Sequence, residues 1–174
     1  MRQSLKLHPD SRCDAVTRID VDVARPRAGA LLLSYEVTGA IADLRLPPLQ
    51  PAAHGDDLWR HTCFEAFICP ADGKAYYEFN FAPSTAWAVY RFDAYRSGMR
   101  PADEIGALEI DVRSTPTRFT LRAALELDFR RSRAGRLGLS AVIEEASGRL
   151  SYWALAHPAG RPDFHDADCF ICEI

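Results

Sequence analysis

Short runs of alternating or aromatic-rich residues, each closed by a turn signal, recur about every 8–12 residues along this chain, and that punctuation confines it to layered β-strands. Val16 to Val23 sets the pattern: Val16, Arg18, Asp20 and Asp22 point one way, Thr17, Ile19, Val21 and Val23 the other. Pro26 to Gly29 turns the chain into a second run, Leu31 to Val37. Ile41 to Leu46 reads as a third, stopped by Pro47-Pro48 at the head of a proline-rich loop that reaches Asp57. Three aromatic runs follow: Cys63 to Cys69, Tyr76 to Phe81 and Trp87 to Phe92, parted by Ala71-Asp72-Gly73-Lys74 and Pro83-Ser84-Thr85. Beyond a polar loop, Arg96 to Glu104, come Ala107 to Val112, Phe119 to Leu125, Leu137 to Ile143 and Leu150 to Leu155. A loop from Pro158 to Asp168 then precedes a closing strand.

About ten or eleven short strands with no βαβ alternation predict an all-β, two-sheet antiparallel β-sandwich, jelly-roll-like, formed by a single domain over 1–174 with its core from about Val16 onward. A short helix at Leu125 to Arg133 is the one helical expectation, because Leu, Glu and Arg favour it.

At 174 residues with 48% hydrophobic side chains, the chain is long enough to bury a core without covalent staples. A formal net charge of −3 supplies no general attraction for phosphate backbones or anionic bilayers, so neither nucleic acid nor a membrane is expected as a partner. The first residues, MRQSLKLHPDSRCD, carry no apolar signal core, and no stretch approaches the roughly 18 apolar residues that span a bilayer. Both point to the cytoplasm, as do five cysteines, an odd number. Cys169 and Cys172 have CxxC spacing, but in a strand positions three apart face opposite ways, so they read as small buried hydrophobes.

Chemistry concentrates between Asp57 and Arg91. Tyr77, Phe79 and Phe81 share one strand face and read as core, which leaves Tyr76, Glu78 and Asn80 on a polar face. On the preceding strand Cys63, Glu65 and Phe67 oppose Phe64, Ala66 and Ile68, so pairing the two core faces brings Glu65 near Glu78 or Asn80. Trp87, Val89 and Arg91 alternate against Ala88, Tyr90 and Phe92, and an arginine joining the acids completes what sugar recognition needs: aromatic planes for C–H faces, charged groups for hydroxyls. The same charges also fit a solvated outer face carrying salt bridges.

Glu65 and Glu78 could imitate a glycosidase pair, although the sequence does not fix their separation. His157 and His165, with Asp163, Asp166 or Asp168, form the one loop where calcium would be admissible; capped surface turns have the same composition. No HExxH, GxSxG, P-loop or GxGxxG motif occurs.

Asp57-Leu-Trp-Arg-His-Thr-Cys-Phe-Glu-Ala-Phe-Ile68, Tyr76-Tyr-Glu-Phe-Asn-Phe-Ala-Pro-Ser84 and Trp87-Ala-Val-Tyr-Arg-Phe-Asp93 together resemble the DOMON-like ligand-binding domains, in particular the bacterial branch related to family 9 carbohydrate-binding modules. Tyr152-Trp-Ala-Leu-Ala-His-Pro158 and Arg161-Pro-Asp-Phe-His165 fit the same group. The resemblance implies a β-sandwich that holds a terminal saccharide between two tryptophans, ringed by acid, amide and arginine side chains. Trp59 and Glu65, six apart, match the first tryptophan and its acid, and Arg91 matches a hydroxyl-binding arginine. No tryptophan follows Trp153, so Phe164 takes the later aromatic position, a departure from the pattern.

On this reading the protein is a non-catalytic module for a saccharide-like ligand. Trp59 stacks on the ring, with Trp87 on the same face. Glu65, Glu78, Asn80 and Arg91 bind hydroxyls, and Arg161, Phe164 and His165 form the rim. Other DOMON relatives hold haem through a methionine and a histidine. With only Met1 and Met99 present, the latter in a polar loop, haem ranks below sugar. A glycan-processing enzyme and a protein-interaction module are the remaining alternatives.

Overall fold

The computed structural model describes residues 1–70, 74–126 and 135–174. Among them twelve strands appear: β1 (Arg2–Leu7), β2 (Val16–Ala24), β3 (Ala30–Gly39), β4 (Cys63–Pro70), β5 (Tyr76–Phe81), β6 (Trp87–Phe92), β7 (Arg100–Pro101), β8 (Glu109–Ser114), β9 (Arg118–Glu126), β10 (Gly135–Glu144), β11 (Leu150–Ala154) and β12 (Cys172–Glu173). All pair antiparallel, as the period-two patterning predicts.

Ile41 to Leu46 is not a strand: Ile41–Asp43 forms a 3₁₀ turn, and only Leu44 pairs, in a single bridge to Glu145. The helix expected over Leu125 to Arg133 falls mostly outside the described residues, its first two positions closing β9.

The sheet is continuous rather than split in two. Its order is β7-β6-β5-β4-β10-β11-β1-β2-β3-β9-β8, with β12 added to β10. The seam is β1, which lies ahead of the core start expected at Val16. Its first residues pair with β2, Arg2 opposite Asp22 and Leu5 opposite Ile19. Its last pair with β11, Lys6 opposite Ala154 and Leu7 opposite Trp153. The sheet curls about this strand until its halves face each other.

The inside of the curl is the main core. Ile19, Val21, Leu33, Tyr35 and Leu121 come from one half; Phe64, Phe79, Phe81 and Leu137 come from the other. Each such side chain contributes roughly 1.5–3 kcal/mol by leaving water. Phe64 bridges the halves, stacking on Phe119 with ring centroids 5.7 Å apart and tilting against Tyr35 at 5.2 Å. The Tyr35 hydroxyl is satisfied inside this apolar volume, donating to the Glu65 carbonyl at 2.6 Å.

The outer face of β4, β5, β6 and β10 is covered as well. Phe67, Tyr76, Phe92, Val142, Phe164 and Phe170 form a second apolar cluster there, because the chain after β11 folds back across the sheet. Gly138 on β10 allows that approach. An added Cβ would lie 2.5 Å from Phe170 Cδ1, so only glycine seats this ring on the strand. Cys169 lies in the outer cluster and Cys172 in the inner one, which keeps the two sulfurs of the CxxC spacing apart.

Candidate functional site

Where the returning chain bridges the outer face it leaves a cavity of about 370 Å³. Glu65, Glu78, Phe92, Val142 and Tyr152 line it from the strands, Trp59 from the 3₁₀ turn before β4, Arg96 and Met99 from the loop after β6, and Pro162, Phe164 and His165 from the segment after β11. Five of the nine residues singled out in the sequence therefore meet here: Trp59, Glu65, Glu78, Phe164 and His165.

Strand register places the two acids. Glu65 on β4 is opposite Asn80 on β5, and Phe67 is opposite Glu78, so the carboxyls sit on a diagonal of one face. Such neighbours have Cβ atoms about 7–8 Å apart, within reach of long side chains. One Glu65 carboxyl oxygen, Oε2, accepts from Ser140 Oγ at 3.2 Å, while Glu78 Oε1 accepts from Asn80 Nδ2 at 2.9 Å. Asn80 is fully buried beneath the floor, with the Cys63 thiol donating to its Oδ1 at 3.5 Å.

Burial raises the pKa of both acids. Glu65 is held well above the carboxylate range, first by desolvation and then by the charge of Glu78. Glu78 is pushed up to about 7, again by desolvation, while the Asn80 amide and the Arg96 charge pull the other way. Desolvation also holds the Cys63 thiol protonated, which removes it as a nucleophile.

A hydrogen-bond chain fixes His165. The Arg96 backbone N–H donates to the Tyr76 hydroxyl at 3.2 Å, and that hydroxyl lies 2.8 Å from His165 Nδ1. With its oxygen accepting from Arg96, Tyr76 donates to Nδ1, and the ring proton falls on Nε2, 3.7 Å from Glu78 Oε2. His165 packs edge-on against Phe67 and Phe92, at 5.1 and 5.0 Å between centroids. Desolvation there and the nearby Arg96 charge push its pKa down to about 4, so the imidazole is neutral at physiological pH.

Backbone strain accumulates around the same cavity. Of the three non-glycine residues with positive φ among those described, Arg96 (φ 48°) lines it and Asp57 (φ 58°) precedes the 3₁₀ turn Leu58–Arg60 that carries Trp59. Trp59 is braced by Tyr90, ring edge to face at 5.8 Å. Arg96 is held by Asp163, Nη2 to Oδ1 at 2.8 Å.

The other expected residues are placed elsewhere. Trp87 and Arg91 are opposite Phe81 and Tyr77 in the β5–β6 register, and directly paired residues share a face, so both project away from the acids. Arg91 lies over the Tyr77 ring at 5.8 Å and faces Glu104, while Ala88, Tyr90 and Phe92 occupy the cavity side. Asn80 supports the floor without lining the cavity. Arg161 is exposed beside Pro162, which does line it. Sequence reading missed Phe92, Arg96, Met99, Val142, Tyr152 and Pro162. The β5–β6 register would have exposed Phe92, but no periodicity marks Arg96 or Met99, which lie in a loop.

Among the described residues, no three histidine, cysteine or acidic side chains cluster to hold a metal ion, and Asp163 is committed to Arg96. Met99 and His165, the residue types by which haem-binding relatives hold iron, do share the cavity. They do not fit that group, because Nδ1 of His165 is taken by Tyr76, Nε2 faces Glu78, and two acids form the floor.

No protein-family model and no curated sequence matches this chain. The fold, however, is similar to that of a candidate carbohydrate-binding protein from Bacteroides uniformis. The TM-score is 0.71 at 16% identity over 98% of this chain and 84% of that one. It is also similar to a family 9 carbohydrate-binding module from Caldicellulosiruptor kristjanssonii in complex with cellotriose, with TM-score 0.52 at 11% identity over 92% and 74% of the two chains. At such identities the likeness establishes a shared all-β fold.

Proposed function

We propose that this protein is a non-catalytic binding module for a saccharide or sugar-like polar ligand, held in the cavity above Glu65 and Glu78. One observation carries the reading: apolar rings wall a hollow whose floor is two buried carboxyls. Pyranose rings present apolar C–H faces and a rim of hydroxyls, and this arrangement complements both. Trp59 covers a ring face, Phe164 and Tyr152 add further aromatic surface, and Glu65, Glu78 and Arg96 bind hydroxyls. The likeness in fold to a module bound to cellotriose supports the same reading.

Isothermal titration with a panel of mono- and disaccharides tests it. Trp59→Ala should weaken binding of the best ligand by at least about tenfold, the loss expected when an aromatic stacking partner is removed. Unchanged affinity would remove the stacking role.

A further inference from the structure

Five acidic side chains are buried among the described residues: Asp20, Glu65, Glu78, Glu144 and Glu145, each 2–6% exposed. Three hold an arginine. Asp20 pairs with Arg18 at 2.7 Å and Arg2 at 2.8 Å, Glu144 with Arg45 at 2.7 Å, and Glu145 with Arg149 at 3.5 Å. Glu65 and Glu78 hold none. Among the described residues the nearest basic group is His165, 3.7 Å from Glu78 and neutral by its tautomer and burial. A buried acid without a cation is expensive, so such groups are normally paired or protonated. Glu65 is 2% exposed and lines the cavity, and among the described residues its protein donor, Ser140, reaches only Oε2.

We propose that the ligand supplies the missing cation: the cavity takes a sugar bearing a protonated amino group, the ammonium seated between Glu65 and Glu78. This rests on the saccharide reading of the cavity and narrows it. The aromatic walls serve twice, covering the ring and facing the cation with their π-electrons, as Trp59 does best. Neutral sugars leave the acids to share protons between them. An ammonium displaces a proton, which passes to the solvent buffer while the charge pair forms.

Other charged groups around the acids set the pH behaviour without supplying the cation. Arg96 faces Glu78 from the β6–β7 loop but is held by Asp163. Cys63 on β4 and Tyr76 and Tyr90 on β5 and β6 all have pKa values raised by burial, so they stay neutral. Affinity for an aminosugar therefore rises as pH climbs toward about 7, where Glu78 releases its proton.

The test compares hexosamines with their parent hexoses and their N-acetyl derivatives, which keep the ring and remove the charge. The probes are glucosamine, galactosamine and mannosamine. Titrations at pH 7 should show at least one amine binding about tenfold or more tighter than both neutral counterparts, since an opposite charge at this range shifts such equilibria by a factor of ten or more. Repeating them in buffers of different ionisation enthalpy should show proton release on binding. Glu78→Gln should reduce the ratio of amine to parent-hexose affinity, and the wild-type comparison stands by itself if that variant misfolds. A hexose that binds as tightly as its amine would overturn this inference and leave the saccharide reading intact. If no sugar of either kind binds, both fall.

Discussion

Glu78→Gln probes the buried acids without any ligand. Glutamine keeps the side-chain shape and the carbonyl that accepts from Asn80 Nδ2, but it cannot ionise. In the wild type Glu78 is pushed from its ordinary 4.5 up to about 7. Below pH 4.5 the acid is neutral in both folded and unfolded chains. Between the two values the folded chain holds a proton that the unfolded chain has lost, so stability falls as pH rises through this window. At roughly 1.4 kcal/mol per tenfold, this displacement corresponds to at most about 3.5 kcal/mol. His165, pushed down to about 4, contributes the opposite slope below pH 6.5, but it is present in both proteins and cancels in the difference. Urea unfolding from pH 5 to pH 8 should therefore show the variant close to wild type at pH 5 and more stable by about 2–3 kcal/mol at pH 8. Removing Glu78 also removes one charge that raises Glu65, which adds to the gain. A difference that stays within about 0.5 kcal/mol across the range, as for a surface substitution, would refute the reasoning.

Arg91→Ala, on the far face, should leave affinity for the best saccharide within about twofold, whereas Arg96→Ala should weaken it about tenfold; titration of both variants separates the two faces. Gly138→Ala forces its new methyl against Phe170 and should cost about 1–3 kcal/mol, with faster amide hydrogen exchange across Phe164 to Phe170. Tyr35→Phe removes the hydroxyl on the Glu65 carbonyl and should lower stability by about 1–2 kcal/mol in the same urea assay.

Alternation within single strands was legible because it is local. The split of Phe64, Ala66 and Ile68 from Cys63, Glu65 and Phe67, and of Phe79 and Phe81 from Glu78 and Asn80, holds as read. Relations between strands were not. Both faces of β6 carry large aromatic residues, so its pattern fits either orientation, and only the pairing of Trp87 with Phe81 turns Arg91 away. Arg96 owes its place to a left-handed backbone in a loop and to Asp163, 67 residues away, a partnership no window of sequence displays. The continuous sheet was hidden for a similar reason. Arg2–Leu7 mixes charged and apolar residues without strong β-propensity, and it becomes a strand because two neighbours offer it edges.

The seam strand also sets an order of assembly. β1 can zip onto β2 while synthesis is still under way, since their partners, from Leu5 with Ile19 to Arg2 with Asp22, are at most twenty residues apart. Its other edge must wait for β11, roughly 150 residues later, a contact of high sequence separation that folding reaches slowly. Until then the nascent chain presents an open strand flank, the kind of edge that other strands can pair with.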